Sequence, residues 1–222
     1  MTRLVVCLAA CLAMLTPASG SAQGAADAPR GLTREAALAA LAAAAPEQRL
    51  RGIDRLATIG GDADAPALTA LLRDPDSTVR SAAERTLWLV WGHSGDAAID
   101  RLYQRGVALM GVADYAPAVA IFNRIIGARP DFAEGWNKRA TLYFMLGEYR
   151  LSLRDCDEVI KRNPDHFGAL SGYGQIYLEL EEYDKALEYF RKALAVNPNM
   201  QGVAINIERI EAFLRERRGN MI

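Results

Sequence analysis

The chain has 222 residues, 51% hydrophobic and 24% charged, enough apolar material for a packed core and too much for a disordered chain. Its 26 basic and 27 acidic side chains give a formal net charge of −1. With no basic excess to hold a phosphate backbone, nucleic acid is excluded as an expected partner.

The first 22 residues read as a segment to be removed. Arg3 precedes the almost wholly apolar run Leu4–Leu15, and Pro17, Ser19, Gly20, Ser21 and Ala22 follow. A charged start, a short apolar stretch and small residues make a secretory signal, with cleavage predicted after Ala22. The run is too short to cross a bilayer. Leu8-Ala9-Ala10-Cys11 has the spacing of a bacterial lipoprotein box, but Leu12–Leu15 would be stranded beyond it, so membrane anchoring would require lipidation of Cys11. The expected location is periplasmic or secreted. Cys7 and Cys11 leave with the signal, and Cys156 remains alone, so no intramolecular disulfide is expected. Residues 23–30 form a short polar and alanine-rich linker.

Residues 31–96 carry a helical pattern. Thr33 can cap an alanine-rich helix over Arg34–Ala45, which Pro46 stops. The turn Asp74-Pro75-Asp76-Ser77 then ends one helix and starts the next. Arg80, Ala83, Leu87, Val90 and Gly92 are echoed 31 residues earlier by Arg49, Gly52, Leu56, Ile59 and Gly61. This segment resembles a HEAT-type repeat, close to the short form of bilin lyases. Repeat units draw stability from their neighbours. It is therefore expected to pack on the helical array C-terminal to it through Leu87-Trp88-Leu89-Val90-Trp91, with the boundary at Gly92-His93-Ser94-Gly95-Asp96.

From residue 97 the chain repeats every 34 residues. Pro130, Pro164 and Pro198 keep this step, as do Tyr115, Tyr149 and Tyr183, and Gly106, Ala140 and Gly174. Ala118, Ser152 and Ala186 keep it too, with Phe122, Cys156 and Phe190. A fixed period of this length marks stacked helix pairs. Small residues on facing helices permit close crossing, and each proline ends a second helix. Asp131 and Asp165 are placed to cap the next helices, Asp131 with Glu134 at capping-box spacing. Residues 97–200 therefore resemble the tetratricopeptide repeat family, in units 99–132, 133–166 and 167–200. The departures are Leu102 for an aromatic and Ile125 for an alanine in the first unit, and Ser152 and Cys156 in the second. The resemblance implies an all-α, right-handed solenoid of helical hairpins with a concave groove. Val203, Ile207, Ile210 and Leu214 then share one face of a helix over residues 201–218, which reads as a terminal cap.

Little in the chain points to chemistry. His93 and His166 are isolated in turns without metal-ligand spacing. Gly172-Tyr173-Gly174 lacks the third glycine of a phosphate loop and lies mid-helix. No base accompanies Cys156. The expectation is a protein without enzyme activity, cofactor or metal. By resemblance, the groove is lined by the first helix of each pair: Tyr103, Val107 and Met110, then Asn137, Lys138, Thr141 and Phe144, then Ser171, Gln175 and Leu178. Family members that clamp a C-terminal carboxylate use lysine, arginine and asparagine there. The matching sites here hold Tyr103, Val107, Gly168 and Gly172, so that clamp is absent. The expected partner is a protein or peptide, and the expected function an exported adaptor of the bacterial envelope. The alternatives are a structural subunit of an envelope assembly machine and a bilin-lyase-like enzyme, which a bound chromophore would reveal. The other candidate occupant of the groove is the chain's own tail.

Overall fold

The computed structural model describes residues 31–219, so the predicted signal (1–22), with Cys7 and Cys11, and the linker (23–30) lie outside the described residues. Everything described is helix and turn. Four helices come first: α1 (Arg34–Ala40), α2 (Pro46–Ile59), α3 (Ala65–Ala70) and α4 (Ser77–Trp91). Three hairpins come next: α5 (Ala97–Gly111) with α6 (Tyr115–Ala128), α7 (Ala133–Met145) with α8 (Tyr149–Arg162), and α9 (Phe167–Glu179) with α10 (Tyr183–Val196). The last helix, α11 (Gln201–Gly219), turns Val203 and Ile210 inward onto α10.

The first layer is organised around one buried ion pair. Arg49 Nε lies 2.8 Å from Asp74 Oδ2, with the two side chains 10% and 5% exposed. The same guanidinium donates to the carbonyls of Ala43 and Ala44 at 2.9 and 2.8 Å. Those bonds draw the chain out of helical geometry, so α1 ends at Ala40 and not at Ala45, and Pro46 opens α2. Thr33 caps α1 as expected, accepting from Ala36 N at 3.2 Å. Asp76 caps α4 by accepting from the backbone N–H groups of Thr78 and Val79. One face of α4 supplies Val79, Ala82, Ala83, Leu87 and Val90 to the apolar core of this layer.

Each 34-residue hairpin closes in the same way. The N–H of Asp114, Glu148 and Glu182 donates back to the carbonyl of Leu109, Tyr143 and Tyr177. The residue before each, Ala113, Gly147 or Glu181, has a φ of 57°, 75° or 59°. These are three Schellman caps in step, which satisfy the last carbonyls of each first helix. Within the hairpins the small residues sit at crossings: Ala118, Ala140, Ser152 and Ala186 are buried, and Ser152 Oγ donates to the Ala140 carbonyl at 2.7 Å. Each second helix ends two residues before its proline, because the residue preceding proline is disfavoured in helical conformation.

The caps expected from Asp131 and Asp165 do not form. Phe132 is the N-cap of α7 and makes no side-chain bond. Asp131 is held by a two-pronged pair with Arg129 at 3.0 and 2.8 Å. At α9 the cap is His166, whose Nδ1 accepts from Ala169 N at 3.0 Å. His166, which the sequence placed alone in a turn, is fully buried.

Candidate partner-binding face

The face made by α5, α7 and α9 carries two columns of side chains at 34-residue steps. One is Val107, Thr141 and Gln175; the other is Met110, Phe144 and Leu178, and all six are half-buried. Val107 and Met110 pack on the core of the first hairpin, and Leu178 packs on that of the third. The Phe144 ring stands 5.8 Å from Tyr149. Thr141 donates to the Asn137 carbonyl at 3.0 Å, and half-buried Ser171 lies one turn before Gln175. These seven residues form the open part of the face.

The other three expected lining residues sit differently. Tyr103 is 7% exposed and closed edge-on against Phe122 and Phe132, so it belongs to the core of the first hairpin. Asn137 is also buried, and its amide donates to Glu134 Oε2 at 2.7 Å. Lys138 is turned toward α4, with its ammonium 5.4 Å from the centre of the Trp88 ring. The Asn137 amide is thus already used within the protein.

For Lys138 the reason is that α4 crosses this end of the face. Trp88 meets Phe167 edge-on at 5.2 Å, and Trp91 stacks on His166 at 4.4 Å. Trp88 fits because residue 168 is glycine: a Cβ there would fall 2.4 Å from Trp88 Cη2. Arg73 donates to the carbonyls of Ala195 and Val196. Arg80 donates to Asn199 Oδ1 at 3.0 Å, and Asn199 returns a bond to the Leu72 carbonyl at 2.8 Å. Of the expected packing run Leu87–Trp91, therefore, only the tryptophans reach the array. Leu87 and Val90 point into their own layer, and Leu89 is 41% exposed. The tryptophans reach the third hairpin, 75 or more residues ahead in sequence.

Beneath Trp91 lies a small polar cluster. Glu134 Oε1 faces His166 Nε2 at 3.5 Å, and Lys138 Nζ approaches the same oxygen at 3.9 Å. Since His166 Nδ1 accepts the capping bond, a neutral imidazole here carries its proton on Nε2, toward Glu134. Burial pushes the Glu134 carboxyl up, but Lys138, His166 and Asn137 outweigh it and hold the group below its ordinary value. A carboxyl depressed on folding adds stability above the unfolded carboxylate range and loses it as the pH falls through the folded value. The thermal midpoint should therefore drop below about pH 4.3. Glu134→Gln, with nothing to protonate at that position, should show a shallower acid decline. Identical acid profiles for the two proteins would show that Glu134 has no part in the acid response.

The pair has no chemical use as it stands. Glu134 and His166 are 1% and 0% exposed, so no substrate reaches them. Burial pushes the Cys156 thiol up to about 12, which keeps it protonated and unreactive. Among the described residues no group of acidic, histidine and cysteine side chains is placed to hold a metal ion. The buried cluster was legible in part: His166 directly precedes a predicted helix start, where a side-chain acceptor is expected. Its contact with Trp91 was not, because nothing local joins positions so far apart.

Three hairpins in parallel, with their first helices on one face, define a helical-repeat scaffold. Residues 138–200 match the tetratricopeptide repeat family. A TPR repeat-containing protein of Rhizobium etli is 36% identical over 126 residues, 57% of this chain and 61% of that one. Hsp70-Hsp90 organizing protein 1 of Glycine max is 29% identical over 122 residues, 54% of this chain and 21% of that one. The chain thus spans less than two thirds of these relatives. Among solved structures, the Sgt2 TPR domain of Aspergillus fumigatus superposes with a TM-score of 0.52 at 19% identity, covering 55% of this chain and 83% of that one. The first TPR of Spaghetti, bound to an HSP90 peptide, gives 0.51 at 20% identity, covering 53% and 93%. At such identities the likeness is one of fold.

Proposed function

We propose that this protein is an exported, non-catalytic adaptor that holds a protein or peptide partner against the open part of its concave face, in the bacterial cell envelope. The observation that carries this reading is the pair of half-exposed columns, Val107-Thr141-Gln175 and Met110-Phe144-Leu178. They offer two hydrogen-bonding side chains between apolar ones on a preformed face, the composition that suits an extended or helical peptide. Spaghetti's domain is solved with an HSP90 peptide. A peptide held by its C-terminal carboxylate is not the expected ligand here, because Gly168 and Gly172 supply no cation and Asn137 is committed to Glu134. Affinity should be modest, on the order of micromolar.

The test is capture from fractionated envelope by crosslinking, comparing wild type with Val107→Lys, Thr141→Lys, Gln175→Lys. The substituted column places three like charges on the face, and capture of the wild-type partner should be lost. Equal capture by a folded variant would move binding to another surface. A native protein that runs only within one large assembly would instead favour the structural-subunit reading.

Export rests on the signal reading. The mature protein should begin at or near Gln23, as judged by N-terminal sequencing. A cytosolic protein retaining Met1 would end the envelope assignment, and one beginning at an acylated Cys11 would make it a lipoprotein.

A further inference from the structure

The seat under α4 is shaped for aromatic side chains. Gly168 leaves the space for one indole, Phe167 gives it an edge and Lys138 a cation, while His166 offers a ring on which a second indole stacks. Cation and aromatic contacts of this kind favour tryptophan over aliphatic residues. The two indoles are three residues apart on α4, the spacing that puts them on one face of a helix.

The seat is also imperfectly filled. One buried polar atom of α4 finds no partner in this seat: Trp91 Nε1 has no hydrogen-bond acceptor among the described residues. A buried polar group left unpaired weakens an interface. The apolar residues that the array offers to this layer are few, namely Phe167 with Val196 and Met200 at the margin. The turn after α4 is anchored to the array from Ser94 onward, where Ser94 bonds Asp100 and Arg129 bonds the Ser94 carbonyl. A movement of the layer would therefore pivot at Gly92-His93 and leave the hairpins intact.

We infer that this end of the concave face is a receptor for an amphipathic helix bearing two aromatic side chains three residues apart, and that α4 is an internal occupant covering it in the free protein. This deepens the adaptor reading and rests on it. Such a partner helix replaces α4, and the layer 32–91 swings away as a body.

The probe is a fluorescein-labelled synthetic peptide of residues Ser77–Trp91, titrated into the full chain. Wild type, already covered, should bind it weakly. Trp88→Ala with Trp91→Ala loosens the chain's own cover and should bind the peptide about tenfold or more tightly than wild type, the scale set by loss of a buried aromatic anchor. Adding Gly168→Leu to that variant, which fills the indole seat, should abolish the gain. Equal binding by wild type and the double variant, or a gain that survives Gly168→Leu, overturns the inference. Hydrogen exchange of wild type decides the matter even if the variants fold poorly. The buried Trp91 indole N–H should exchange with solvent at a lower free energy than the backbone amides of α4, α9 and α10. Exchange of that indole only on global unfolding refutes a movable cover. Peptide binding reads the seat and envelope capture reads the open columns, so either idea can fail without the other.

Discussion

Replacing Asp74 with alanine should cost the protein about 3–5 kcal/mol, the scale of breaking one side of a buried ion pair. Arg49 would keep its charge in a site where its side chain is 10% exposed, with the Ala43 and Ala44 carbonyls as its remaining partners. The backbone N–H of Asp76 would also lose its acceptor, Asp74 Oδ1 at 2.9 Å, and with it the turn that starts α4. Urea unfolding followed by circular dichroism measures the loss. A double replacement, Arg49→Met with Asp74→Leu, should recover part of it, since the penalty lies in the orphaned charge more than in the missing attraction. If Asp74→Ala left the unfolding midpoint in place, the ion pair would have no part in holding the first layer together.

The second large effect is expected at Gly174. A Cβ there would lie 2.4 Å from Phe190 Cδ1, and Phe190 is completely buried. Leucine at 174 must push α9 away from α10, and overpacking of this kind costs about 1–3 kcal/mol. Alanine gives the sharper test. In an ordinary helix interior, glycine to alanine gains about 1 kcal/mol. Here the added methyl group meets an aromatic ring with nowhere to go, so Gly174→Ala should destabilise, and the sign of the effect reverses. A raised thermal midpoint for Gly174→Ala would show that the two helices can part at little cost and that Phe190 does not fix their spacing.

The repeating half of the fold was legible because its causes are local and recur. A small residue at each helix crossing, a tyrosine after each turn and a proline after each second helix act over one hairpin, and the 34-residue step multiplies the signal. The Schellman caps belong to the same class, although only Gly147 announces the left-handed turn residue; Ala113 and Glu181 adopt it because the hairpin on either side is already fixed. Asp131 shows the limit of local reading. Its spacing suited a cap, but Arg129 two residues earlier offers a charged partner at 2.8 Å and takes it. The end of α1 was misplaced for a similar reason: the guanidinium that shortens it comes from Arg49, and its position depends on Asp74, outside both α1 and α2.

The sequence by itself determined the helices, their pairing and the face on which a repeat protein of this kind presents its side chains, since each arises from interactions spanning a few turns. Which of those side chains remain open was decided by the tertiary structure. Trp88 and Trp91 could have packed on the next hairpin in line; instead Gly168 and His166, in and beside the third repeat, give indole rings a flat-sided seat that bulkier or aliphatic neighbours would not. Tyr103, Asn137 and Lys138 are withdrawn from the face by contacts with Phe122 and Phe132, Glu134 and Trp88 respectively, none of which is implied by the 34-residue period. Contacts between residues far apart in the chain depend on how whole layers fit together, and that fit is set by the summed shape and polarity of two surfaces.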